Sequence, residues 1–172
     1  MALGRLAPVF DRAGFRPYTR LQRMARIDSP SAANLDGDVN VAQKTDAAAV
    51  LNLIESAFDC LGEQLPRLYE IETAIEARQV LVARQGQELG GVLYFETQGM
   101  ASTVRFWAVA ERFRDRRLGS ALMQHYFQIH AAVRRFSLWV NTANDNAIAK
   151  YRHYGYAPDG LLDQVFAKTT PA

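Results

Sequence analysis

Four arginines, Arg112, Arg114, Arg116 and Arg117, fall within six residues of "ERFRDRRLGSALM", directly ahead of an apolar helical run. Side chains of that type at that spacing suit one kind of chemistry: holding a polyanion. A helix start offers main-chain N–H groups that no intrahelical carbonyl accepts, and the positive end of the helix dipole adds to them. Gly119 removes a side chain where such a ligand would approach, and Leu118 and Ser120 flank it with further amides. Cationic side chains are unfavourable at a helix N-terminus unless an anion compensates them. That local conflict points to a ligand carrying about the charge of a diphosphate, against the plainer reading of a solvated basic face. The segment lacks a Gly-Lys-Ser/Thr ending and a GxGxxG run, so it is neither a P-loop nor a dinucleotide fingerprint.

Such a turn needs a strand to deliver the chain and a helix to carry it away. "TVRFWAV" ends at Val109 and alternates as a strand does, and Ala110 opens the turn. Leu118, Ala121, Leu122, His125, Ile129 and Val133 mark one face of a long helix starting near Arg117. Upstream, "VNVAQ" reads as a short strand, and Thr45 as the N-cap of a helix over about 46–58. A second helix is expected over about 66–78. "QVLVAR" and "LGGVLYFE" read as strands around a turn at Gln85–Glu88, and "FSLWVN" as another strand. Asn144 caps a last helix to about Tyr154, before strand-like "LLDQVFAK". The order β-α-α-β-β-β-α-β-α-β predicts a mixed α/β sheet with helices on its faces.

Bulk properties exclude several classes. The 172 residues are 49% hydrophobic and 22% charged, with a formal net charge of +2. These values describe an ordinary globular chain of one domain with room for a core. The basic residues form one loop with no aromatic platform, which argues against nucleic acid as a partner. No run approaches the roughly 18 apolar residues of a membrane helix, and the first residues lack a signal-peptide core. The expected location is cytoplasmic, with no membrane partner. The single Cys60 permits neither a disulfide nor a structural zinc site and is expected buried on an apolar helix face. His125 falls on the helix face expected to be buried, while His130 and His153 look exposed. None has metal spacing, so no metal is expected.

"WAVAERFRDRRLGSALM" resembles motif A of the GNAT superfamily of acetyl-CoA-dependent N-acyltransferases, whose pattern is Arg/Gln-x-x-Gly-x-Gly/Ala after a strand. Arg114 and Gly119 fall at its first and last positions, and Arg117 replaces its middle glycine. "NTANDNAIAKYRHYGY" resembles the family's second signature through Asn144, Ala147, Tyr151, Gly155 and Tyr156. The likeness spans about residues 39–168. It implies a central mixed sheet of about six or seven strands flanked by four helices, and acetyl-CoA as co-substrate with no metal. By the same resemblance, Val109, Ala110, Arg114, Arg116, Arg117, Leu118, Gly119, Ser120, Asn144 and Ala147 would hold the cofactor. The Val109 N–H would meet the oxyanion, and Tyr151 would protonate the leaving thiolate. Where many relatives place a glutamate, this sequence has Thr103. Glu96 is the nearest acidic candidate for the base, followed by Glu72, with a chain of waters as the alternative. The implied activity is acetyl transfer to a primary amine of a small molecule, amino acid or peptide. Longer-chain acyl transfer and a non-catalytic acyl-CoA-binding regulatory module are the competing readings. Acceptor choice would rest on about residues 46–78 and 98–102, where Asp59, Glu63 and Glu70 could hold a cation.

The first residues pose a separate question. "VFDRAGFRPYTRL" resembles the chain's own "KYRHYGYAPDGLL", pairing Phe10 with Tyr151, Gly14 with Gly155 and Phe15 with Tyr156. Residues 1–35 are therefore an extension resembling the tail of a GNAT domain, ahead of an acyltransferase domain over 36–172. A helix-turn-strand that extends the sheet or a homodimer interface is expected there; the stub of a tandem ancestor and an arm reaching another subunit are the alternatives.

Overall fold

The computed structural model describes residues 3–28 and 38–168. The boundary expected near residue 35 and most of the linker-like "DSPSAANLDGD" lie outside them. The elements are α1 (Leu3–Arg12), β1 (Phe15–Ile27), β2 (Val39–Val41), α2 (Ala47–Ala57), α3 (Leu68–Glu76), β3 (Val80–Gln85), β4 (Glu88–Gln98), β5 (Ala101–Val109), α4 (Leu118–Ile129), β6 (Arg135–Asn141), α5 (Asp145–His153) and β7 (Ala157–Lys168). Short 3-10 turns cover Lys44–Asp46 and Glu111–Arg116. From Val39 onward this is the expected order. Hydrogen bonding joins seven strands as β2-β3-β4-β5-β6-β1-β7. β1 with β7, β2 with β3, β3 with β4 and β4 with β5 pair antiparallel, and β5 and β6 run parallel. The N-terminal strand β1 joins the sheet between β6 and β7 and not at its edge.

The chain divides into two compact units. In the larger, Arg26–Leu138, period-2 alternation gives each of β3, β4 and β5 two apolar faces. Val80, Val82, Val92, Tyr94, Phe106 and Ala108 form one core with Val50 and Ile54 of α2 and Ile71 and Ile75 of α3. Burying each such aliphatic side chain contributes about 1.5–3 kcal/mol. On the opposite face α4 packs, with Phe95 5.2 Å from Tyr126 and Tyr126 5.6 Å from Phe136, ring to ring. The smaller unit holds residues up to Ala25 and those from Trp139. There β1 and β7 pair from Phe15↔Lys168 to Ala25↔Ala157, and Phe10 stacks on Phe166 at 4.5 Å.

Several local expectations are corrected. Asp46, not Thr45, starts α2: its carboxylate accepts the Gln43 N–H at 2.9 Å and pairs with Arg84. Helix α2 stops at Ala57, which leaves Cys60 exposed in the following loop. Helix α4 stops at Ile129, four residues before Val133, and Ile129 is 47% exposed. His130, expected exposed, is buried, because the turn that ends α4 folds it back onto the sheet. Its Nε2 is 2.9 Å from the Thr97 hydroxyl and its Nδ1 2.8 Å from the Tyr126 carbonyl.

Candidate active site

The arginine-rich turn is pinned from beneath by two glycines. The Gly90 carbonyl accepts the Ala110 N–H at 2.9 Å. A Cβ on Gly90 would stand 2.5 Å from Leu118 Cδ1 and 3.0 Å from the Phe113 ring. One on Gly91 would stand 2.9 Å from Leu122 Cδ1. The double glycine of "LGGV" is therefore the space into which the turn and the start of α4 settle. In the sequence this segment reads as a strand, and two adjacent glycines inside an apolar strand are the signal of such a close approach.

The turn ends on Arg117, the N-cap of α4, in the left-handed conformation with φ 59° and ψ 10°. That region of backbone favours glycine, the residue of the resembled motif at this position. The departure lies in the side chain, while the backbone keeps the conformation glycine would adopt. No side chain caps α4, and the first bond of the helix ladder runs from the Ala121 N–H to the Arg117 carbonyl at 3.0 Å. The amides of Leu118, Gly119 and Ser120 precede that bond and make up the helix's positive end. Around them Arg112 is 3.1 Å from Glu88 and Arg114 3.5 Å from Glu111. Arg116 and Arg117 are exposed and have no carboxylate within salt-bridge range among the described residues. Two uncompensated cations thus stand beside an uncapped helix start, a pairing that an anion would relieve. Gly119 has a further reason to be small: a Cβ there would lie 3.2 Å from Trp107 and 3.3 Å from Val109, so the helix packs closely on β5.

Strand register orients the amides of β5. Gly90 and Ala110 form a hydrogen-bonded row, and antiparallel rows alternate, so Val92↔Ala108 is bonded and Gly91↔Val109 is not. The N–H groups of Val109 and Trp107 therefore point away from β4. On that side β5 pairs with β6 only from Ala101↔Arg135 to Val104↔Leu138, and Arg105–Val109 run on past the end of that pairing. Ala110 is different: its N–H is committed to Gly90 and its carbonyl accepts from Phe113 at 2.8 Å, so its part in the site is to shape the turn.

The face covered by α2 and α3 gathers a second group. Phe58 meets Phe106 edge-on at 5.1 Å, Tyr94 stacks near Phe106 at 6.1 Å, and the Tyr94 hydroxyl donates to Glu96 at 3.4 Å. Arg105 Nε is 3.8 Å from the same carboxylate. Burial, then Glu96, pushes the Tyr94 phenol above its ordinary range, with Arg105 opposing and Glu70 of α3 adding to it. In the loop after α2, burial followed by Asp59 raises Glu63 to about 7. Glu96 pairs with Thr103, six residues along β5 from Val109. At the strand rise that is about 20 Å, beyond direct proton transfer to an atom held at Val109. Thr103 itself lies 2.9 Å from the Ser137 hydroxyl.

On α5, in the smaller unit, the Asn144 side chain accepts the Ala147 N–H at 3.0 Å and caps the helix. Tyr151 is buried, and its ring meets that of Tyr156 at 6.1 Å. Among the described residues no group of three or more His, Cys, Asp or Glu side chains could hold a metal ion. Among the same residues no helix is long and apolar enough to cross a membrane.

The family model described as the Acetyltransferase (GNAT) family matches residues 48–156. No curated protein matches. Among solved structures, a GCN5-related N-acetyltransferase from Sphaerobacter thermophilus is 18% identical, with a TM-score of 0.67 over 92% of this chain and 53% of its own. A putative GNAT-family acetyltransferase from Novosphingobium aromaticivorans is 16% identical, with a TM-score of 0.67 over 91% of this chain and 69% of its own. A Mycobacterium tuberculosis protein solved with CoA is 14% identical, with a TM-score of 0.58 over 69% of this chain and 70% of its own. The chain thus spans about half the length of the first of these.

Proposed function

The chain belongs to the GNAT acetyltransferase family, and we propose that it moves an acetyl group from acetyl-CoA to a primary amine of a small molecule, amino acid or peptide. The observation that carries this reading is the uncapped start of α4 beside Arg116 and Arg117, a ready site for a diphosphate. Leu118, Gly119 and Ser120 would give their amides to it, with Arg114, Arg116 and Arg117 supplying charge. The bound co-substrate supplies an activated thioester. Val109 then offers an N–H, fixed by the strand, to the charge developing on the carbonyl oxygen; such a donor can lower the barrier by about 3 kcal/mol. The amine nitrogen forms the new C–N bond as the C–S bond breaks. By the family resemblance, Tyr151 would be the acid that protonates the departing sulfur. The proton lost by the attacking nitrogen would reach Glu96 only through intervening water, given their separation along β5.

One observation favours a second reading, an acyl-CoA-binding module without turnover: Thr103, bonded to Ser137, stands where many relatives carry a carboxylate. Release of free thiol from acetyl-CoA, followed across a panel of amines, separates the two. Amine-dependent release supports the enzyme. Tight binding with no release above the hydrolytic background supports the module.

A further inference from the structure

The turn from α1 into β1 repeats the turn by which α5 passes into β7. Ala13 N–H donates to the carbonyls of Val9 at 3.2 Å and Phe10 at 3.1 Å, and Gly14 N–H donates to Asp11 at 3.0 Å. At the end of α5, Tyr154 N–H donates to Lys150 at 3.3 Å and Tyr151 at 3.0 Å, and Gly155 N–H to Arg152 at 2.9 Å. Gly14 and Gly155 share a φ of 81°. The rings of Phe10 and Phe15 meet edge-on with centroids 6.1 Å apart, as do those of Tyr151 and Tyr156. One constant offset along the chain relates every one of these pairs.

The pairing of the two copies is symmetric at its centre, with a register shift on either side, between Pro17 and Thr19 and between Gln22 and Met24. β1 and β7 run antiparallel, with Leu21 opposite Asp163 and Gln22 opposite Leu162. The same offset carries Leu21 to Leu162 and Gln22 to Asp163, so exchanging the two strands maps one pairing onto the other. A local two-fold axis therefore passes through these four residues. Through these central pairs β7 could meet a second β7 in the register it keeps there with β1.

We propose that the place between β6 and β7 is a self-complementary interface that fits α5–β7 of a second copy of this chain. α1–β1 is a built-in stand-in that keeps it covered. The stand-in has two advantages over the second copy. It is tethered, which gives it a high effective concentration. It also brings Arg23, whose guanidinium lies 2.7 Å from Asp159 with both side chains largely buried; the offset puts neutral Gln164 in its place in a second copy.

The test is solution mass. A chain lacking residues 1–27 is expected to sediment as two copies, and a synthetic peptide of residues 3–27 should return it to one copy plus peptide. A shortened chain that stays a single copy, or a pair that the peptide leaves intact, overturns the proposal. Should the shortened chain not fold, the full chain with a protease site placed between residues 30 and 36 decides instead. After cleavage, excess peptide 145–168 should displace the labelled arm as excess peptide 3–27 does, and a scrambled 145–168 should not. Displacement by 3–27 alone, or by neither peptide, contradicts it.

Discussion

Replacing Arg117 by glycine should stabilise the protein while weakening its hold on acetyl-CoA. Arg117 sits at φ 59°, where a side chain costs about 1–2 kcal/mol relative to right-handed backbone. Glycine removes that cost but gives back about 0.5–1 kcal/mol through the freedom of its unfolded chain. The substitution also lifts a cation from a helix N-terminus, which contributes about 0.3–1 kcal/mol in the unliganded protein. The net gain is about 1 kcal/mol, or roughly 2–4 °C in Tm for a chain of this length. Binding should move the other way. Loss of one exposed phosphate contact weakens affinity about three- to tenfold at low salt, and the difference should fade as salt rises. Arg117→Ala separates the two effects, because it removes the charge and keeps the left-handed cost. Thermal unfolding without ligand should rank glycine above alanine above arginine, while calorimetry should find both variants equally impaired in binding. A glycine variant that melts below the parent, or one that binds acetyl-CoA as tightly at low salt, refutes the reasoning.

Further outcomes follow from the same geometry. Gly90→Ala puts a methyl 2.5 Å from Leu118 Cδ1. It should cost about 1–3 kcal/mol in denaturant unfolding and raise the acetyl-CoA Kd more than Gly86→Ala, where nothing lies within 4 Å. Tyr151→Phe should cut kcat by about 10²–10⁴ in steady-state assays and leave the acetyl-CoA Kd nearly unchanged. Burial lowers His125 and His130, with the Tyr126 carbonyl partly opposing it at His130. Through these two groups the unfolded chain binds more protons than the native one below about pH 6.5, a contribution that destabilises as pH drops and that Glu63, raised to about 7, opposes over the same range. Chemical denaturation between pH 7.5 and 5.5 checks the sign by difference: the parent should lose stability relative to a variant with both histidines replaced by glutamine as pH falls.

Element order was readable because each segment carries a clean period: Val50, Leu51 and Ile54 at helical spacing, Phe136, Leu138 and Val140 at strand spacing. The Asn144 cap was readable because capping is local chemistry, and its bond to Ala147 is present. Long-range choices were not readable. The likeness of residues 9–21 to 150–162 pointed to a helix-turn-strand, yet its seat between β6 and β7 depends on pairing with residues more than a hundred positions away. His130 looked exposed because its burial comes from Thr97 across the sheet, and Cys60 looked buried because helical spacing ran past the point where α2 ends. At the site, the loop of cations at a helix start was legible from side-chain types alone. The left-handed Arg117 was hinted at by its displacement of a glycine. The seating of the turn on Gly90 and Gly91 is a packing relation, and a single sequence carries no spacing rule for it.

The central claim is that the amides of Leu118 to Ser120, with Arg114, Arg116 and Arg117, grip the diphosphate of coenzyme A. Titration calorimetry of acetyl-CoA across a salt series tests it most directly. The account predicts saturable one-to-one binding whose affinity falls as salt rises, and falls further in Arg116→Ala and Arg117→Ala. Absence of binding heat at low salt, or an affinity indifferent to both salt and these substitutions, would contradict it.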